Sequence, residues 1–304
     1  RAQASEFAPF FQRLPRMRSL QVLRGNELIF AEARAPGGLD RFANLKSAST
    51  GLVSLLLGTA FDRGEIPSID ATIGDLAPGL LPRDATPGAA DITVQDLVTH
   101  RAGLEPTSGP NYGNWVNARN WVGYALSRPF LSQPGTDMAF STGATHVLGA
   151  LLTAVTGQSL LQLAQTRIGQ PLGIEIPAWT RDPQGYYMGG NEMALRPSAM
   201  LKIASVVRDN GRFDGQQVVS GNWILAATQV HTPASQAGLN YGYGWFLTPS
   251  GYALARGYGG QIIAAHAERG LAVAITSDPT VPSLADGYLD TLMQMLDGPI
   301  LAVS

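Results

Sequence analysis

Strands near both ends of the chain with helices between them predict an α/β fold of the α+β kind. One antiparallel sheet draws on both termini and carries helices on its faces, and an all-helical insertion packs beside it. Three observations carry this. Residues 20–33 read as a hairpin: Leu20-Gln21-Val22-Leu23, a turn at Gly25-Asn26, then Leu28-Ile29-Phe30-Ala31. Between 67 and 184 strand signals are sparse and helical patterns recur, separated by turns rich in Gly and Pro. From Tyr241 the character changes again, to strand signals at hairpin spacing.

In chain order, residues 6–14 form a short amphipathic pattern ahead of the hairpin. The apolar run Leu52, Val53, Leu55, Leu56, Leu57 predicts a buried helix that opens near Ser47 and stops at Gly64. Helical patterns follow at 94–99, 115–126, 143–156, 160–168, 197–207 and 221–228. Strands are expected at 242–247, 252–256, 261–266 and 271–277, and a closing amphipathic helix at 284–296. The organisation expected is therefore a discontinuous sheet domain, residues 1–75 and 185–304, with a mainly helical domain over 76–184. A pocket between two such lobes is the default site.

Composition narrows the function. With 304 residues and 45% hydrophobic content the chain can bury a large core. A formal net charge of -2 with 14% charged residues leaves no basic stretch dense enough for a nucleic-acid surface. No window approaches the roughly 18 apolar residues of a membrane span, so no membrane span and no nucleic-acid partner are expected. Cysteine is absent, so disulfides and thiolate metal sites are excluded. His100, His146, His231 and His266 are scattered without metal-ligand spacing, and no cofactor is expected. Each reads as a structural histidine; His100, ending a helix before Gly103, is placed to favour the helix dipole and bond its last carbonyls. The start, Arg1-Ala2-Gln3-Ala4-Ser5, has the small-x-small form left at a signal-peptidase site, which points to a periplasmic or secreted protein.

The chemistry centres on Asn44-Leu45-Lys46-Ser47-Ala48-Ser49-Thr50. On a helix Ser47 and Thr50 share one face, a turn apart. A serine opening a buried helix with lysine three residues on is the activated nucleophile of penicillin-recognising enzymes. Here the third residue is Thr50, whose hydroxyl cannot take a proton at neutral pH.

The chain resembles the serine β-lactamase-like superfamily: the group holding class C β-lactamases, DD-peptidases, esterases and nylon-oligomer hydrolases. The resemblance rests on residues 41–49 around Ser47, Gly58 to Ile66, and Leu97-Val98-Thr99-His100-Arg101-Ala102-Gly103-Leu104. Pro134-Gly135-Thr136, Thr156-Gly157-Gln158-Ser159, Gly189-Gly190-Asn191-Glu192-Met193 and Gly257-Tyr258-Gly259-Gly260-Gln261 complete it. It implies a β-lactamase/DD-peptidase-like fold and three catalytic motifs. S-x-x-K falls on Ser47 with Thr50 in place of the lysine. Y-x-N falls on Phe140-Ser141-Thr142, with Phe140 in place of the tyrosine that passes a proton to the leaving group. K-T-G or H-x-G falls on Ala255-Arg256-Gly257. The backbone N–H groups of Ser47 and Tyr258 are the implied oxyanion hole, and Thr142, Ala255, Arg256, Gly257 and Gln261 the implied substrate contacts.

These replacements predict a serine-hydrolase-family protein with hydrolase activity weak or lost, because general-base assistance is worth ~10²–10⁴-fold. Two substitute bases stay open. Lys46, four residues before Thr50, neighbours it on an ideal helix; Tyr112, on the Gly109 to Gly113 loop, supplies a hydroxyl. A functional amide or ester hydrolase or acyltransferase, or a non-catalytic ligand-binding protein, are the alternatives. In either case the expected partner is a small-molecule amide, ester or peptide ligand.

Overall fold

Alternation of side chains along the C-terminal strands settles how the molecule is layered. The computed structural model describes residues 6–234 and 238–304; residues 1–5, which carry the export reading, lie outside the described residues. The strands are β1 (Met17–Arg24), β2 (Glu27–Ala33), β3 (Ala43–Asn44), β4 (Ala194–Leu195), β5 (Arg212–Phe213), β6 (Gln216–Gln217), β7 (Thr232–Pro233), β8 (Asn240–Tyr241), β9 (Phe246–Leu247), β10 (Ala253–Gly257), β11 (Gln261–His266) and β12 (Leu271–Ser277). Eight of them form one sheet in the order β2-β1-β12-β11-β10-β9-β8-β7. The N-terminal hairpin pairs antiparallel with β12, Leu20 opposite Ile275, which is how the two ends of the chain meet.

Every residue of β11 and β12 is buried. A period of two then sends alternate side chains to two cores. Leu271, Val273, Ile275, Ile262 and Ala264 face a core made with Phe7, Leu292, Met295 and Leu296 of the terminal helices. Ile263, Ala265, Ala272 and Ala274 face the other and larger core, built with the central helices. Alanine on this second face lets helices come close.

The Ser49–Asp62 helix is the central one, and 12 of its 14 residues are buried. Its glycines are notches: a Cβ on Gly51 would lie 2.9 Å from the Trp245 ring, and one on Gly58 2.2 Å from Trp223. Gly64, at φ +70°, ends it as the sequence indicates. Ser141 and Ser159 cap the Thr142–Thr156 and Leu160–Ala164 helices with their hydroxyls. Together with the helices before residue 128 these make the helical layer over the larger core. No single helix among the described residues is long and apolar enough to cross a membrane.

Three sequence expectations are corrected. The pattern at 115–126 is two helices, Tyr112–Val116 and Trp121–Ala125, because Asn120 leaves the helix and caps the second with its side chain. Of the run 242–247 only Phe246 and Leu247 are strand (β9); residues 242–245 are the turn from β8, where Gly242 N–H bonds Trp245 C=O and Gly244 sits at φ +85° with no room for a Cβ beside Ser54. Ser47 lies in a 3₁₀ turn, Lys46–Ala48, that leads into the long helix rather than in its first turn.

Candidate active-site cleft

Ser47 is fixed by backbone contacts on both sides. The Leu45 N–H bonds Met193 C=O at 2.8 Å, and β3 pairs with β4 next to it. Across the turn, Gly257 at the end of β10 presses on Leu45: a Cβ there would stand 2.1 Å from the Leu45 carbonyl oxygen. Only glycine allows this approach. Lys46 itself is left-handed, at φ +49°, which turns Ser47 out of the buried backbone into a cleft of about 350 Å³.

That cleft is lined by Ser47, Gly109, Phe140, Phe246, Arg256, Gly257, Tyr258, Gly260, Gln261, Ile262, Ser283, Leu284 and Leu289. Sequence reasoning placed Ser47, Phe140, Arg256, Gly257, Tyr258 and Gln261 at one site, and all six meet here. The backbone N–H groups of Ser47 and Tyr258 make no hydrogen bond within the described residues. Two free N–H groups at one cleft are the material of an oxyanion hole. Gln261 is buried and committed: its amide accepts from Ser277 N–H and donates to the Ser277 and Tyr258 carbonyls.

Other expected contacts lie outside the lining. Thr142 is buried, and its hydroxyl pairs with that of Ser108 at 3.0 Å. Ala255 is buried with its methyl directed at Gly51. Thr50 is also buried, and its hydroxyl has no partner among the described residues.

The two candidate substitute bases are both engaged. Lys46 Nζ forms an ion pair with Glu192 Oε1 at 3.0 Å, while Asn44 donates to the other carboxylate oxygen at 2.9 Å. The same Asn44 accepts from Lys46 N–H, so side chain and backbone are held together. Tyr112 accepts from Asn191 Nδ2 at 3.1 Å. Burial, and then the Glu192 charge, raise the Tyr112 phenol above its ordinary range, so at neutral pH it remains a proton donor.

His100 differs from its expected role. It is buried at φ +55°, its Nδ1 accepts from Ser141 N–H at 3.0 Å, and burial pushes its pKa down to about 3. It is therefore a neutral acceptor of an N–H rather than a charged partner of helix carbonyls, because desolvation outweighs any dipole gain. Its ring stacks on Phe140 at 4.2 Å. His146 is paired with Asp182 at 2.9 Å in full burial, beside Trp115 and Trp121, away from the cleft lining. His266 and His231 bond backbone carbonyls of Ser250 and Ala226.

Sequence reading missed Glu192, Phe246, Leu284 and Leu289. Glu192 stood inside a string quoted for the fold alone, yet a chain with two lysines made its partner worth seeking. Phe246 read as a core strand residue, and no sequence signal marked the 283–289 rim.

The chain belongs to the Beta-lactamase family, whose model matches residues 20–293. Among curated proteins it is 26% identical over 171 residues to a lovastatin esterase of Penicillium rubens and 28% identical over 165 residues to esterase EstB of Burkholderia gladioli. Those matches cover 49% and 50% of this chain but 42% of each esterase, so it spans under half their length in the matched part. A putative 6-aminohexanoate-dimer hydrolase from Bacillus anthracis superposes with TM-score 0.83 at 15% identity, over 97% of this chain and 81% of that one. EstCE1, a hydrolase with promiscuous acyltransferase activity, gives 0.79 at 16% identity over 98% of both chains. A family VIII carboxylesterase gives 0.74 at 17% identity over 96% and 95%. The fold is that of β-lactamases and penicillin-binding-protein homologues, with the expected antiparallel sheet and helices.

Proposed function

We propose that this β-lactamase-fold, serine-hydrolase-family protein binds a small ester, amide or peptide at the Ser47 cleft and turns it over slowly or not at all. One observation carries the reading. Among the described lining residues the titratable groups are the Arg256 guanidinium and the Tyr258 phenol. A guanidinium and a phenol offer N–H and O–H donors, and neither is an amine or imidazole that could take the proton of a serine hydroxyl. Thr50 and Phe140 stand at the positions of the motif lysine and tyrosine, and Lys46 is occupied by Glu192.

What remains is Ser47, with its own backbone N–H and that of Tyr258 as donors at the cleft. Binding and an oxyanion hole alone retain ~10³-fold over water, far below ordinary turnover.

The test is reaction of the purified protein with a fluorophosphonate probe, nitrocefin and p-nitrophenyl esters. Labelling over hours, lost in Ser47→Ala, is the expected result. Stoichiometric labelling within seconds overturns the reading and calls for a base in the cleft.

A second reading is a working hydrolase or acyltransferase that draws on Tyr112, favoured by the bond that holds its phenol beside Asn191. As a donor it would serve the leaving group, not Ser47. A Tyr112→Phe variant with unchanged labelling rate removes it.

A further inference from the structure

Next to the Ser47 cleft lies a second cavity of about 180 Å³, bounded by the start of β1, the end of β12, the 35–44 segment and the first residue of the Pro197–Arg208 helix. Gln261 lines both, so the two share a wall. Successive side chains of a strand point to opposite faces, yet Arg18 and Ser19 both line this cavity, as do Thr276 and Ser277. A β-bulge accounts for it. Met17 pairs with Ser277 and Ser19 with Thr276, so Arg18 is an extra residue on β1. Bulges re-aim side chains in this way.

The lining carries two cations, Arg18 and Arg41, and no acid. Arg41 forms no ion pair among the described residues, and Arg18 is held only loosely, 3.6 Å from the Asp278 carboxylate. Deeper in, the Gln261 amide is spent on Ser277 and Tyr258, while the Ser277 hydroxyl donates to Gly260 C=O and accepts from Tyr288. Ser19 and Thr276 differ. They are 2% and 3% exposed, and their hydroxyls bond only each other among the described residues. Two hydroxyls hold two hydrogens and one bond uses one of them, so a buried O–H is left without an acceptor. Such a donor is costly to leave unmade, and a ligand oxygen in the cavity satisfies it. Ala35, Phe42, Pro197 and Pro279 give the rest of the lining an apolar surface.

We propose that this cavity is a second ligand site, separate from the Ser47 cleft, and that it takes a small phosphate monoester. A monoester phosphate has three free oxygens and a charge near −2 above its second pKa of ~6. Arg18 and Arg41 match that charge, and with the surplus hydroxyl they offer each oxygen a donor. The organic group lies against Phe42 and the two prolines. A carboxylate would leave one cation unbalanced and one donor unused. The inference is independent of what Ser47 binds and of whether it reacts.

The experiment is calorimetric titration with phenyl phosphate, phenyl sulfate and inorganic phosphate at pH 8. Phenyl phosphate should bind at least ~10-fold more tightly than phenyl sulfate, which has the same shape and a single charge, and than inorganic phosphate, which lacks the ring. Arg41→Gln, at an exposed residue, should weaken phenyl phosphate at least ~10-fold, and Arg18→Gln likewise. Ser19→Ala should keep most of the affinity, because the Thr276 hydroxyl then turns its hydrogen to the ligand. Adding Thr276→Val removes that hydrogen and should cost about fivefold. Lowering the pH to 5 should weaken binding, since the phosphate gains a proton while arginine keeps its own. Protein labelled at Ser47 with a fluorophosphonate should bind phenyl phosphate unchanged. Absence of phenyl phosphate binding overturns the inference, as does an affinity untouched by Arg41→Gln and Arg18→Gln. Equal affinity for inorganic phosphate removes the monoester, and loss of binding on Ser47 labelling moves the site to the cleft; either result overturns it too.

Discussion

The two walls of the Ser47 cleft differ in what they are made of. One wall is backbone: the Lys46–Ala48 turn, the end of β10 at Gly257, and the Tyr258 to Gly260 corner. The other is side chain: Phe140 and, behind it, His100, with Thr50 of the long helix buried outside the lining. The first presents backbone N–H groups to the cleft, and the second presents an aromatic ring; on the proposed function the first would bind an oxyanion and the second would move no proton. Backbone geometry of this kind is also structural. Gly257 must clear the Leu45 carbonyl, and Gly259, at φ +90°, must clear that of Asp278, whatever chemistry follows. A hydroxyl or an amine projecting into a cleft holds nothing together. It can be exchanged for an apolar group while the fold is untouched. Glycines that let backbone approach this cleft are thus evidence about folding first and catalysis second.

The largest effect should come from disturbing the backbone wall. In Gly257→Ala the new methyl meets a main-chain carbonyl at 2.1 Å, which cannot rotate aside. Overpacking of that kind costs about 3 kcal/mol. Chemical denaturation should show it, together with loss of any Ser47 labelling. Full stability in this variant would mean that the approach of β10 to the Ser47 turn is not a constraint of the fold, and the contrast between the walls would fail.

Rebuilding the other wall should have the opposite outcome. Thr50→Lys with Phe140→Tyr adds both missing groups where Thr50 has an unpartnered hydroxyl and Phe140 faces the cleft. Ester hydrolysis should rise at least ~10²-fold, the lower end of general-base assistance and about 2.7 kcal/mol of barrier. The two changes act as a unit, so neither alone should give half the gain. No gain in a folded double variant would show that the walls differ in more than proton handling.

The contrast also explains what could be read from the chain unaided. The buried central helix, the Gly64 stop and strands β11 and β12 were legible because periodicity and glycine carry them. Six of the site residues were legible because a spacing motif keeps them in order. What was not legible depends on contacts between distant segments. Glu192 reaches Lys46 across 146 positions, and Phe246 reaches both Phe140 and Arg256. The aromatic at 246 and the turn at 242–245 belong to one string whose local pattern favours a plain strand; Gly244 breaks it because it must sit against Ser54. His100 was misjudged in charge, since a helix-end position suggests an imidazolium and only burial shows that it is neutral.

His100 gives a pH test of the side-chain wall. Its pKa is near 3 when folded and about 6.5 when unfolded. Between those values the unfolded chain binds the extra proton, so stability is fully present above about pH 6.5 and falls as pH is lowered toward 3. From pH 7 to pH 5 this group should account for about 2 kcal/mol of lost stability. Urea midpoints measured at both pH values should differ less in His100→Gln than in wild type. Identical pH dependence would place the acid sensitivity elsewhere.

The smallest effect should come from Lys46, the residue that joins the two walls. Its ion pair with Glu192 is about a quarter exposed on each side, and such pairs contribute ~1 kcal/mol or less. Lys46→Gly removes the amine and at the same time relieves a left-handed backbone that glycine adopts freely, so the variant should fold. Unfolding should shift by less than ~1 kcal/mol and the rate of Ser47 labelling by less than about threefold, because an amine bound to a carboxylate contributes no base. A fall of tenfold or more in Lys46→Gly, reproduced in Lys46→Gln, would make Lys46 the proton acceptor. The ion pair would then be a resting arrangement that opens for reaction, and the side-chain wall would regain its chemistry from the residue before the serine.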